Sequence, residues 1–332
     1  NDIGFMLTAN EINHFTWVGL QYQRPFSIFR NARINYNHWL RWDFGGKLLY
    51  SQFNMNTSAT FKNNWQAGTS LTWNPYDVSN NALRGAVALR KPAGLGWNIN
   101  LSSDYRKKFS VGVNAFKFWA EDNVISFNNA GISLNYVPIN ALSISLSANY
   151  DNSWRSQDQF VSNVTYNNNT RTIVAHLQQK TIRFTGRLSY NITPDLTIQY
   201  YGQPYLTRPT YQQYAYVVDA LADKYSNRFL RYSVNQISEN NGTYLIDENR
   251  DGITDYSFDK PDFNFVQFRS NMIVRWEYRP GSELFLVWSE GNTPNAYGDL
   301  STPIFNSLFN NAFSGGNARN IFLVKWTYRF LR

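Results

Sequence analysis

The sequence predicts an all-β fold: a transmembrane antiparallel β-barrel of about fourteen strands with short periplasmic turns and long extracellular loops. Three observations predict it. Apolar and polar residues alternate over long segments, connections sort into alternating short and long ones, and aromatic residues stand at the ends of the apolar stretches. Composition agrees, with 17% aromatic residues (22 Tyr, 24 Phe, 11 Trp) and only 16% charged residues, against about 25% charged in soluble domains. The mean hydropathy of −0.46 is no argument for a water-soluble body, because lipid-facing and lumen-facing residues alternate in a barrel and their hydropathies cancel.

Period-two alternation places strands at 2–9, 12–22, 30–43, 46–61, 65–75, 95–105, 109–119, 128–137, 141–153, 174–191, 195–205, 264–278, 283–291 and 319–330. In one of these, Leu142, Ile144, Leu146, Ala148 and Tyr150 oppose Ser143, Ser145, Ser147 and Asn149. Further on, Ile182, Phe184, Leu188 and Tyr190 oppose Arg183, Thr185, Arg187 and Ser189. Val266, Phe268, Met272, Val274, Trp276 and Tyr278 oppose Gln267, Arg269, Asn271, Arg275 and Glu277, and Phe322, Val324, Trp326, Tyr328 and Phe330 oppose Lys325, Thr327 and Arg329. Sandwich strands usually run five or six residues; these segments approach the length of tilted membrane strands.

The connections 23–29, 62–64, 106–108, 138–140, 193–194 and 279–282 are short and even-numbered, whereas 76–94, 154–173, 206–263 and 292–318 are long and odd-numbered. A soluble β-protein has no reason to sort loop length by side; an outer-membrane barrel does. Tyr22, Tyr105, Tyr136, Tyr190, Tyr278 and Tyr328 fall at the short-turn ends of the outward face, and Trp42, Trp73, Tyr150 and Trp288 at the opposite ends. They read as two girdles at headgroup depth, in contact with outer-membrane lipid. Cysteine is absent, which excludes disulfides and thiolate metal sites. The net charge of +8 is spread through the strands rather than gathered in one patch, so no nucleic acid is expected as a partner. The chain opens inside a strand with no signal peptide, which implies processing or an N-terminal region left out.

The stretches Asp247–Gly252, Asp255–Phe258, Pro261–Phe265, Arg275–Ser282 and Leu286–Trp288, with Gln179–Thr181 and Asn191–Leu196, carry a family likeness. The sequence resembles an uncharacterised C-terminal barrel domain of Bacteroidota outer-membrane proteins, one that commonly follows a module similar to family-9 carbohydrate-binding domains. The likeness is strongest from about residue 176 onward and weak over the first 90 residues. It implies the fold and the bacterial outer membrane, and no established activity.

Catalysis has little material. His14, His38 and His176 lie in no recognisable motif, and no pairing among Asp43, Asp151, Glu277 and Glu283 follows from sequence. The inward face carries the stronger signal, a basic wall of Arg33, Arg41, Arg183, Arg187, Arg269, Arg275, Lys325 and Arg329. Such a wall either guides anions or holds a plug or an N-terminal module by bidentate pairing. Tyr201, Tyr205, Tyr211, Tyr214 and Tyr216 lead into the longest loop, where rings could stack on glycans or pack on themselves. In that loop Asp247, Asn249, Asp251 and Asp255 take positions 1, 3, 5 and 9 of a calcium-loop pattern with Gly252 at the turn. The Ile253 carbonyl and Asp259 would complete a structural calcium site. The expected role is transport, surface binding or an accessory part in a larger outer-membrane complex; the alternative is a carbohydrate-binding or carbohydrate-processing protein whose active module lies outside this chain.

Overall fold

The computed structural model describes residues 10–294, 300–314 and 318–330, and for 155–158 the backbone only. The strand expected at 2–9 lies outside the described residues. In chain order the elements are β1 (Ile12–Tyr22), β2 (Phe29–Trp42), β3 (Leu48–Phe61), β4 (Gln66–Ser79), β5 (Leu89–Lys91), β6 (Gly94–Ser102), β7 (Phe109–Ala120), β8 (Ile125–Ile139) and β9 (Leu142–Tyr166). There follow β10 (Asn169–Thr193), β11 (Leu196–Val217), β12 (Phe229–Arg231), β13 (Ile237–Asn240), β14 (Thr243–Ile246), β15 (Tyr256–Asp259), β16 (Phe265–Arg279), β17 (Ser282–Asn292), α1 (Ile304–Ala312) and β18 (Arg319–Trp326).

One 15-stranded antiparallel sheet runs in the order β1-β2-β3-β4-β6-β7-β8-β9-β10-β11-β16-β17-β18, with β5 paired to β4 and β12 to β11 off this path. Among the described residues no pairing joins β18 to β1. The register keeps apolar against apolar from one edge to the other. Leu20 faces Ile34, Leu101 faces Val113, Val113 faces Ile132, Leu134 faces Leu146, Tyr190 faces Ile198, Val274 faces Leu286, and Leu286 faces Val324. A one-residue slip would turn each of these side chains to the other face, so the shared parity specifies the register. This face is uncovered along most of its extent: Val113 is 44% and Leu286 43% exposed.

The buried clusters lie instead at the end of the sheet away from the short turns. There β9 and β10 extend to 25 residues each, about 80 Å at roughly 3.3 Å per residue. The connection expected at 154–173 is therefore the outer part of a hairpin closed by Asn167 and Asn168, both at positive φ (49° and 61°). Two consecutive positive φ values match the right-handed strand twist, and asparagine tolerates them. Likewise, residues 206–217 continue β11 rather than opening the long loop. The alternation fails here for a physical reason: Thr172 to Leu177 are all buried, so neither face of β10 needs to be polar.

Two clusters make up a cap at this end, and a third seats a helix beside it. Leu83, Leu89, Ala220, Tyr225 and Phe229 pack with Val174 and Ala215. Ile173, Ala175, Tyr214 and Tyr216 pack with Ile246, Tyr256 and Phe258 of the small sheet β13-β14-β15. Helix α1 lays Leu308 and Ala312 on Ile182, Leu206, Val266 and Phe268.

Candidate functional site

The face opposite the apolar one is lined with side-chain amides and hydroxyls. Asn35 donates to Asn56 (2.8 Å), Asn56 to Asn54 (2.8 Å), Asn37 to Asn54 (3.1 Å) and Asn54 to Thr72 (2.8 Å). Across β7, β8 and β9, Asn114 donates to Asn129 (2.8 Å) and Asn129 to Asp151 (2.6 Å). An amide both donates and accepts, so each residue satisfies a neighbour on either side. The result is a polar surface with little charge of its own.

The basic residues punctuate this face. Arg33 donates to Asn35 Oδ1 (2.7 Å) and lies over the Trp17 ring; Arg41 pairs with Glu11 (3.5 Å) and lies over Tyr50. Arg187 lies over Tyr201 and Lys325 over Phe285. Arg275 pairs with Glu277 (3.3 Å) and Glu283. Arg329 falls beyond β18, against Gly281 in the β16–β17 turn, where φ is +75° and a side chain would collide with it. Arg183 and Arg269 form no ion pair among the described residues and instead line two cavities. One, of about 490 Å³, places Arg183 with Tyr205, Gln179, Thr181, Asp151 and Ser153. The other, of about 430 Å³, places Arg269 with Gln267, Ser289, Glu290 and Arg319. A third, of about 400 Å³, sets Arg187 and Tyr201 beside Ser145, Gln199 and Asn271.

At the β9–β11 end of the sheet stands the cap, held by buried polar groups. Arg228 is fully buried and donates to the carbonyls of Ala222 (2.8 Å), Arg90 (2.8 Å) and Asp223 (3.0 Å). Arg171 pairs with Glu248 (2.7 Å), which also accepts from the Tyr256 hydroxyl, and the Tyr256 and Tyr232 hydroxyls bond each other (2.9 Å). Burial pushes the phenols of Tyr214, Tyr232 and Tyr256 above their ordinary range, and burial holds the His176 imidazole below its own. Tyr214 and Tyr216 are thus core residues rather than an exposed stacking surface, while Tyr201 and Tyr205 face the cavities.

The acidic loop 247–255 closes on itself between β14 and β15. Asp247 Oδ1 accepts from the amides of Arg250 (2.6 Å) and Asp251 (3.1 Å), and its Oδ2 from Gly252 (2.8 Å). Asn249 donates to Asp251 (2.9 Å), Asp251 accepts from the Ile253 amide (2.8 Å), and Asp255 accepts from the Glu248 amide (2.7 Å). Asp259 is not brought to this group: it pairs with Thr243 at the far end of the β14–β15 ladder and accepts from that hydroxyl (3.3 Å). Among the described residues no three His, Cys, Asp or Glu side chains are arranged to hold a metal ion.

The aromatic residues expected as girdles divide by surroundings. Tyr22, Trp73, Tyr136 and Tyr190 are exposed on the apolar face, and Tyr105 is exposed in the β6–β7 turn. The Tyr278 hydroxyl receives the Trp326 indole N–H (2.6 Å), Tyr328 accepts from Arg279 (2.7 Å), and Trp288 donates to Asn320 (2.7 Å). Trp42 stands opposite Leu48 at the β2–β3 turn, and Tyr150 packs beneath α1. The histidines are scattered: His14 bonds Thr16, His38 stacks on Phe53, and His176 is in the cap.

The sequence profile of a family described as a domain of unknown function, DUF5916, matches residues 1–331. The chain belongs to the DUF5916 family. A solved structure described as NanC porin in a rhombohedral crystal form is similar over 85% of the DUF5916 chain and 94% of its own, at 9% identity and a TM-score of 0.26. No curated protein matches. No helix of the DUF5916 chain, among the described residues, is long and apolar enough to cross a membrane, which says nothing of crossing with strands.

Three features of the DUF5916 chain escaped the sequence reading. The amide ladder was visible only as polar inward positions. Arg228 carries no motif, because its acceptors are main-chain carbonyls, two from the preceding turn at 222 and 223 and one from distant residue 90. Helix α1 did leave a signal, with Ile304, Leu308 and Ala312 spaced four apart after Pro303.

Proposed function

We propose that this chain is an outer-membrane β-barrel whose lumen is amide-lined and overhung by the cap, serving as a membrane-seated binding or accessory component rather than a wide pore. The observation that carries this reading is the uninterrupted apolar face paired, strand after strand, with an amide-lined face. A soluble sheet of this size would cover its apolar face with a second layer; this one, among the described residues, leaves it bare along most of its extent. Lumen cations opposed by rings and amides suit neutral or anionic polar ligands, glycans among them, and the extended β9–β11 wall offers a surface for a partner protein.

Because the chain has no cysteine, single cysteines report orientation without background. Cysteines at Gly85, Thr165 and Leu230 are expected to react with a membrane-impermeant maleimide on intact cells, and those at Pro138, Pro194 and Pro280 only after permeabilisation. Reaction of the proline turns on intact cells would overturn the orientation. In planar bilayers the purified protein is expected to give small or no conductance steps, because the cap and the lumen arginines narrow the path; large stable steps would contradict the capped lumen.

A further inference from the structure

Helix α1 lies on the apolar face of the sheet, not over the polar one. Its Leu308 and Ala312 are fully buried, and with Ile304 they cover Ile182, Leu206 and Val266 on β10, β11 and β16, beside Tyr150 on β9. Ser307 anchors the helix from below, receiving a hydrogen bond from the buried Asn264 amide (2.9 Å).

The helix has two further flanks. At about 100° per residue, Phe305 and Phe309 form one, continued by Phe313 just past the C-terminus, and Asn306 and Asn310 the other. All five are exposed, and the three phenylalanines are 48–57% so. The flanks differ in direction as well as chemistry. Phe309 meets Phe184 (centroids 5.6 Å apart) and Phe313 meets Phe268 (5.0 Å). Phe184 and Phe268 each stand two residues nearer the short turns than Ile182 and Val266, which lie under the helix axis. The phenylalanine flank therefore points along the sheet toward the bare apolar band, and the asparagine flank points away from it, toward the long-loop end.

From this arrangement we infer that α1 is an interfacial anchor seated at the acyl–headgroup boundary of the loop-side leaflet. Its phenylalanine flank dips into the acyl chains and its asparagine flank meets water and lipid headgroups. The occupant is the bilayer itself, because the phenylalanine flank is continuous with the apolar band that the barrel reading gives to lipid, and the inference rests on that reading. A short helix cannot bind a membrane by itself; docked on the sheet, it has no nucleation or orientation cost left to meet. It fixes the depth at which the β9–β11–β16 arc, and hence the cap, rides above the membrane.

The test uses the cysteine-free full chain in phosphatidylcholine vesicles, with nitroxide labels on single cysteines at Phe305, Phe309, Asn306 and Asn310 and at the band positions Val113 and Leu286. Collision rates are read with oxygen, which concentrates in acyl chains, and with a water-soluble nickel chelate. The oxygen-to-nickel ratio is expected to be several-fold higher at Phe305 and Phe309 than at Asn306 and Asn310, and highest at Val113 and Leu286. A low ratio at Phe305 and Phe309 with high ratios at the band positions would overturn the anchor and leave the barrel standing. Exclusion of both reagents from the phenylalanine labels would show a protein contact there and overturn it equally. Low ratios at Val113 and Leu286 would remove the barrel reading, and the anchor with it.

Discussion

Leu286→Arg is expected to destabilise the protein in lipid by about 2–4 kcal/mol, the cost that the proposed lipid face would set on an arginine near mid-bilayer. Leu286 sits in the middle of β17 with Val274 on one side and Val324 on the other, so the guanidinium would find no acid and no water within reach. Ser147→Arg supplies the matched comparison. Ser147 lies on the amide-lined face between Ser133 and Thr185, and an arginine there enters a polar, watered space at little cost. Denaturant titration in phospholipid vesicles, followed by tryptophan fluorescence, measures both. A costly Ser147→Arg beside a neutral Leu286→Arg would invert the assignment of faces.

Arg228→Ala is expected to unfasten the cap while leaving the sheet intact. The side chain is fully buried and answers three carbonyls, and each buried acceptor left without a donor costs about 1–3 kcal/mol. Loss of the side chain also leaves a void against Tyr225, whose ring the guanidinium covers. Amide hydrogen exchange should rise sharply at residues 80–93 and 218–231, with protection in β7, β8 and β17 unchanged. Arg228→Lys should give an intermediate result, since one ammonium cannot span three diverging carbonyls. Unchanged exchange in Arg228→Ala would show that the cap does not depend on this residue.

The bare part of the sheet was legible because each strand there has one apolar and one polar face. Leu142 to Tyr150 and Val266 to Tyr278 needed nothing beyond period two. The same rule hid the cap. From Thr172 to Leu177 both faces of β10 are buried, so alternation stops marking the strand there, and the Asn167-Asn168 turn signal lay inside what looked like a loop. For the basic residues, parity names a strand face and no partners, because the rings and acids that answer Arg187, Arg275 and Lys325 come from neighbouring strands. For the acidic loop the reverse holds: the spacing of its acids was plain in the sequence, yet the ladder that carries Asp259 away from Asp247 was not.

The order of the sheet also bears on assembly kinetics. Along the path β1 to β18 nearly every strand pairs with one close in the chain, so each new pairing closes a small loop and loses little chain entropy. Hairpins can add in succession as the chain is delivered. The longest closure is the β11–β16 junction, across residues 218–264. Within that stretch β13, β14 and β15 pair only with one another, so the small sheet can form first from local contacts and shorten the effective tether. Slowed formation of that sheet should delay the β11–β16 seam and leave a stalled intermediate with β16, β17 and β18 not yet joined to the strands before them.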